Sequence, residues 1–294
     1  MQIGMNLPVM VPGLDRRTVL EWCRRIDAGP FSTLAAGERI TFPNPEVMVT
    51  LSVAAAATER VKIAFTVAVL PLHHSAVLFA KQVATLDVLS GGRVILGVGV
   101  GARDEDYRAA GATFDARRLR RMERQIATMR RVWAGENVVD GALRPVEPLP
   151  AQAGGPPLWA GALAADSIRR AAAWADGIAG FSFGPSSEEV AFAWDTARQA
   201  WRDAGRAAPP RLVGSCWFAL GRDARAQLDE YLFRYLNFMG ADVARALAPQ
   251  VRTDSPAALR RVVADLAALG TDELLLVPTS SDPDELHRVA DALF

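Results

Sequence analysis

Eight short β-rich runs alternate with helical stretches along the whole chain, and no other feature narrows the fold as far. The candidate strands are Ile3–Leu7, Thr33–Ala36, Val61–Val69, Val94–Val98, Leu158–Gly161, Ile178–Phe181, Leu212–Leu220 and Leu274–Val277. Between them apolar residues recur at three- and four-residue spacing in Leu14–Ile26, Pro45–Thr58, Ala76–Leu89, Arg117–Trp133, Asp166–Ala175, Ser186–Ala204 and Asp284–Leu293. Asp166 and Ser186 are the expected N-caps, and Asp284 follows Pro283 at the start of the last helix. Each helix returns the chain to begin the next strand, so the strands run parallel. The pattern predicts an α/β fold, a (β/α)8 TIM barrel, with an open doubly wound sheet as the rival. A barrel takes up all 294 residues as one domain, 1–294.

Two connections exceed what a barrel needs. After the fourth strand, Gly135–Pro157 is rich in Pro and Gly, and its Val138-Val139 to Leu143 alternation predicts a small hairpin. After the seventh, Gly221–Asp272 holds two helices, about Asp223–Met239 and Ser255–Leu269. Long insertions at the C-terminal ends of barrel strands shape the pocket.

Charge excludes several classes of function. Lys plus Arg (33) balance Asp plus Glu (33), which argues against a nucleic-acid partner, since phosphate recognition needs a basic surface. All the basic residues except Lys62 and Lys81 are arginines. Ile63–Ala80 carries no Lys, Arg, Asp or Glu, but Pro71, His73 and His74 interrupt it, so strand, turn and helix is expected there, with no membrane span. Cys23 and Cys216 lie in no metal-like spacing, the start of the chain shows no signal-peptide pattern, and a cytoplasmic protein with two buried thiols is expected. Three histidines, two of them adjacent, do not supply the His-x-His metal site of barrel hydrolases, so no metal is expected.

The richest segment runs from Leu70 to Gly101: a strand exit, an amphipathic helix, a Gly91-Gly92 stop and a buried strand ending in glycines. Gly97, Gly99 and Gly101 leave one side of that strand bare, open to close approach by a flat ligand or by another chain segment. Gly97-x-Gly99-x-x-Ala102 matches a dinucleotide fingerprint formally, but it sits on the fourth strand, and Asp104, Glu105 and Asp106 place acids where a pyrophosphate would lie.

Three segments, Ala80-Lys-Gln-Val-Ala-Thr-Leu-Asp-Val-Leu-Ser-Gly-Gly-Arg93, Leu96-Gly-Val-Gly-Val-Gly101 and Ala171-Ala-Ala-Trp-Ala-Asp-Gly177, resemble the bacterial luciferase-like monooxygenase superfamily. Thr58-Glu-Arg-Val-Lys-Ile63 and Gly37-Glu-Arg39 resemble its pattern too. Members are flavin- or coenzyme F420-dependent oxidoreductases on a (β/α)8 barrel. The resemblance implies a ring at the C-terminal ends of strands one to four, framed by Asn6, Glu38, Val67, Ala68, Val100 and Gly101, with a non-prolyl cis bond at Val67-Ala68. It places the cofactor phosphate by Ala160, Gly161, Ala162 and Ser167, where a helix N-terminus offers free N–H groups. It also implies a homodimer, a small-molecule substrate and a separate flavin or F420 reductase. The function it points to is hydride transfer between F420 and a small organic substrate; the alternatives are an FMN-dependent two-component monooxygenase and a non-catalytic flavin-binding relative.

His74 is the preferred proton donor over His73, with Ser75 standing where the family commonly has Pro. Glu38, beside Arg39, is the second catalytic candidate; a paired carboxylate there either moves a proton or orders the loop. Tyr107, Tyr231 and Tyr235 are the expected substrate contacts, the last two sharing a helix face with Phe238. Trp159 and Phe181 are read as barrel packing.

Overall fold

A computed structural model describes residues 1–180 and 187–294. Strands β1 (Gln2–Asn6), β2 (Thr33–Ala36), β3 (Lys62–Val69), β4 (Val94–Gly99), β5 (Leu158–Ala160), β6 (Gly177–Ala179), β7 (Arg211–Phe218) and β8 (Glu273–Pro278) close into a parallel barrel in chain order. β8 pairs back onto β1 with Gln2 opposite Glu273, which excludes the open sheet. The helices are α1 (Arg16–Ala28), α2 (Val47–Ala56), α3 (Ala76–Leu89), α4 (Asp104–Ala109), α5 (Arg118–Trp133), α6 (Ala165–Ala171), α7 (Ser187–Asp203), α8 (Ala224–Leu236), α9 (Ala241–Leu247), α10 (Pro256–Ala268) and α11 (Asp284–Leu293). None of the helices among the described residues is long and apolar enough to cross a membrane.

Several sequence expectations need correction. The segment from 135 to 157 forms no hairpin: Ala142 N–H donates to Val139 O in a turn, and Leu143 is fully exposed. A lone two-stranded ribbon with its apolar side in water has nothing to pack on. The N-cap of α6 is Ala164, with Asp166 inside the first turn and ion-paired to Arg169. α4 and α9 are helices that apolar periodicity misses, because six- and seven-residue elements complete too few turns to show a period. The expected Ser186 cap and Phe181 lie outside the described residues.

Inside the barrel, Trp159 packs with Ala35, Ala64, Ile95, Val213 and Leu275. One indole fills the space that small residues on β2 and β3 leave, as dense packing requires. The N-terminal end is closed by polar groups: the buried Glu273 carboxylate accepts from Ser32 Oγ (2.7 Å) and Thr33 Oγ1 (2.6 Å) and meets Arg211. Two arginines tie this end together. Arg60 donates to carbonyls of Ile26, Asp27, Gly29 and Phe31 around the end of α1, and Arg93 donates to Ala55, Thr58, Val61 and Ser90. The arginine of the Gly-Gly-Arg stretch therefore holds the fold together at this end. Cys23 and Cys216 are buried, which pushes both thiols up to about 12.

Trp159→Ala should cost about 3–5 kcal/mol, since no neighbour can collapse into the space. Urea unfolding measures this; a loss under about 1 kcal/mol would show that the indole does not fill the interior.

Candidate active site at the barrel mouth

The C-terminal mouth is shaped by an irregularity in β3. Its pairing to β4 slips between Phe65 and Ala68, and a cis peptide joins Thr66 and Val67, one bond before the position the resemblance implies. Glycines make room for the bulge. A Cβ on Gly97 would stand 2.2 Å from the Phe65 carbonyl oxygen, on Gly99 2.8 Å from a Val67 methyl, on Gly161 2.9 Å from the other, and on Gly101 2.8 Å from Val69. The bare side of β4 is thus filled by β3, the second of the two occupants the sequence allowed. Thr66, Val67, Val100 and Gly101 remain partly open at the mouth. Ala68, Ala160 and Ala162 are packed into the hydrophobic core, while Gly161 is exposed and Ser167 partly so. Asn6 is buried in the mouth, accepting from Thr66 Oγ1 (2.7 Å) and donating to Leu276 O.

Glu38 leaves β2 into this bulge. Its N–H donates to Val67 O, and its buried carboxylate accepts from Val69 N–H (2.6 Å) and lies 3.1 Å from His73 Nε2. His73 is half-buried, packed on Phe79 with ring centroids 4.1 Å apart, and its carbonyl accepts from Gln125. His74 is exposed on the outside, its Nε2 donating to Ala110 O at 2.7 Å. The histidine brought to Glu38 is therefore His73. Ser75 caps α3 through Leu78 N–H, directly after the turn at Leu70–Leu72 and the two histidines.

Arg39, expected to pair with Glu38, pairs with Asp106 (2.7 Å) and Glu105 (3.1 Å). Asp106 also accepts from the N–H groups of Ile40 and Thr41 and from Thr41 Oγ1, so the acids of the β4 exit hold the β2 exit in place. Burial pushes the Asp106 carboxyl up, but the Thr41 and Arg39 hydrogen bonds outweigh it and hold it below the usual carboxylate range.

α8 lies over this rim. Tyr231 and Tyr235 stack in parallel, and Trp217 and Phe42 meet Tyr235 edge-on. Tyr231 is fully buried against Trp217, and burial pushes its hydroxyl up. Tyr107 is also buried, donating to Val100 O and packing on Phe114 beneath the loop. Of the three tyrosines only Tyr235 keeps open surface. Arg103 was not singled out in the sequence, where it opens an acidic run. It sits between Phe238 (3.9 Å) and Tyr235 (4.7 Å), with no carboxylate within ion-pair distance among the described residues. This clamp joins the β4 exit to the insertion between β7 and β8.

A family model described as luciferase-like monooxygenase matches residues 1–285. An uncharacterized protein of Mycobacterium tuberculosis, Rv0953c, is 29% identical over 233 residues, covering 74% of this chain and 75% of its own length. Among solved structures, the monooxygenase RslO1 from Streptomyces bottropensis superposes with a TM-score of 0.83 at 21% identity, covering 100% of this chain and 98% of its own. An F420-dependent secondary alcohol dehydrogenase, solved with an F420-acetone adduct, gives 0.81 at 16% identity, covering 99% and 98%. At these identities the two structures share the fold.

Asp106→Asn should destabilise the chain by about 3 kcal/mol at neutral pH, as breaking a buried ion pair does. Because the folded-state carboxyl is lowered, its stabilisation is full above the unfolded value of about 4 and disappears as pH falls through the lower folded value. Urea titrations of both proteins from pH 7 downwards should converge in acid; a gap independent of pH would contradict the assignment.

Proposed function

Because the chain belongs to the luciferase-like monooxygenase family, we propose that it is an oxidoreductase that transfers hydride between coenzyme F420 and a small organic substrate at the barrel mouth. The observation that carries this reading is the pairing of buried Glu38 with half-buried His73, just past the ends of β2 and β3. Reducing a carbonyl, imine or alkene needs a proton beside the hydride, and this pair is a built proton donor at the position where a barrel holds its chemistry. A bound deazaflavin would supply or take the hydride.

The residues present fit such a group. Thr66, Val67, Val100 and Gly101 offer a small, mostly apolar wall for a flat ring, and exposed Gly161 with Ser167 stands where its phosphate would lie. His73 would hand the substrate a proton and take its replacement, with Glu38 as the fixed partner that orients the ring. Asn6, tied to β3 and β8, would hold the ring edge. Tyr235 and the Arg103 clamp would cover the pocket and exclude water. The second reading is an FMN-dependent monooxygenase in the same mouth, favoured by the word monooxygenase in the family description.

The homodimer reading is supported by the face of α2 and α3. α2 carries no charged residue, and Val49, Val53, Leu78 and Leu89 are all exposed there. A second copy brings an equally uncharged α2, so the two meet without repulsion. Sedimentation velocity should give a dimer that Val53→Asp dissociates; a monomeric native chain would contradict the reading.

Titrating the apoprotein with F420 and with FMN tests the function. Saturable F420 binding with none for FMN is expected, and the reverse would establish the monooxygenase reading instead. His73→Ala should keep the F420 affinity and lower carbonyl reduction by about 10²–10⁴-fold, whereas unchanged turnover would remove His73 from the chemistry.

A further inference from the structure

Arg103 opens an acidic run, yet none of those acids is its partner. Asp104 pairs with Arg108 (2.9 Å), while Glu105 and Asp106 both pair with Arg39. Asp106 has no oxygen to spare: one takes Arg39 Nε, and the other takes the N–H groups of Ile40 and Thr41 and the Thr41 hydroxyl. Residues 181–186, outside the described residues, include no Asp or Glu. Among the described residues the only hydrogen-bonding neighbour of the Arg103 guanidinium is Tyr235, whose carbonyl accepts from Nη2 at 3.3 Å. Nε is enclosed without a partner, whereas Nη1, without one among the described residues, is not enclosed. Burial pushes the guanidinium below the ordinary arginine value and Arg39 adds to this, with Tyr235 and Asp106 pulling the other way. A cation drawn partly out of water is stabilised by a counter-ion, and the described residues offer it none.

This cation lies across the barrel opening. Its guanidinium packs on Phe238 and Tyr235, and Tyr235 in turn meets Phe42 from the β2 exit and Trp217 on β7. Side chains alternate along β7, so Trp217 points to the same side as Val213, which lies in the barrel interior. A cluster that touches the C-terminal ends of β2, β4 and β7, spread round a ring of eight strands, spans the opening and does not sit on one outer wall. Arg103 and Tyr235 both keep open surface in it. Aromatic rings attract a guanidinium without neutralising it, and its N–H edge matches the two oxygens of a carboxylate. One cation is left over, so one negative charge balances it, as a carboxylate does and a phosphate dianion does not.

We propose that Arg103 is a specificity-determining residue that takes the carboxylate of the substrate, and that the substrates are small oxo acids. This rests on the hydride-transfer reading above and names its substrate class. The carboxylate meets Arg103 beside Tyr235, and the carbonyl is left to the Glu38–His73 side of the mouth. Reduction gives the hydroxy acid: the carbonyl carbon takes the hydride from the reduced cofactor, which is oxidised, and the carbonyl oxygen takes the proton from His73. A neutral carbonyl compound leaves the cation unpaired and is reduced less well.

The test compares glyoxylate, succinic semialdehyde and adipic semialdehyde, each against the amide of its own carboxyl group, with reduced F420. At least one acid should exceed its amide about tenfold or more in kcat/KM, chiefly through KM. If no acid does so while neutral carbonyls are still reduced, the proposal is overturned and the hydride-transfer reading stands. Arg103→Gln should bring the ratio of acid to amide close to one, and Arg103→Lys should restore part of it. Loss of the aromatic clamp alone would slow acid and amide alike, so an unchanged ratio in Arg103→Gln would overturn the proposal. An unchanged ratio with F420 affinity lost would assign Arg103 to the cofactor phosphate instead. Calorimetric titration of the full chain with the same acids and amides reads the site without turnover. Binding of an acid over its amide that Arg103→Gln removes, in a chain that binds neither F420 nor FMN, would overturn the proposed function and leave the role of Arg103 standing.

Discussion

β3 approaches β4 so closely that a Cβ at Gly97 would stand 2.2 Å from the Phe65 carbonyl oxygen, and the rest of the mouth is built on that contact. No side chain other than hydrogen fits at Gly97, and Gly99 and Gly161 give the space that the Val67 methyls occupy. With the bulge seated there, the strand resumes at Ala68, the Val69 N–H reaches the Glu38 carboxylate, and the turn that follows carries His73 to the same group. A larger residue at any of these glycines would displace the bulge and both members of the pair with it.

The rim also sorts its charges. Neighbours in sequence, Glu38 and Arg39, take different partners: Glu38 takes a backbone N–H and an imidazole, and Arg39 takes Asp106 and Glu105. This division leaves the buried Glu38 carboxylate facing an imidazole, with the Arg39 guanidinium engaged by Asp106 and Glu105 instead. Arg39 and Asp106 meanwhile fix the β2 and β4 exits to each other, and the Arg103 clamp ties α8 to the same exit. The mouth is thus tied by contacts on three sides, which suits the proposed alignment of a ring, a substrate and a proton.

Much of the fold was legible in the sequence because alternating strand and helix periods are a local signal. α3 and α11 fall on their expected residues, and every strand lies where a β-rich run was read. The site was less legible, since its decisive contacts join residues far apart in the chain. Choosing His73 over His74 depends on which way a three-residue turn rotates after β3, and nothing in His-His itself encodes that. Arg39 beside Glu38 reads as an ion pair until the loop from β4 delivers Asp106. Tyr231 is expected to be available because aromatic spacing reports a helix face without saying whether it meets core or solvent, and Tyr107 because its place beyond the fourth strand does not say whether it covers the mouth or packs the loop. The glycine series gave the clearest long-range signal: it announced a close approach but left open whether chain or ligand made it.

The central claim is that a flavin-type ring is held on the β3 bulge with the Glu38–His73 pair beside the reacting atoms. A crystal structure of the chain with F420 tests it most directly. The account predicts the ring against Val67 and Val100, with His73 within hydrogen-bond reach of the substrate position next to it. A ring bound outside the C-terminal mouth, or one in the mouth with His73 turned away from it, would contradict the account.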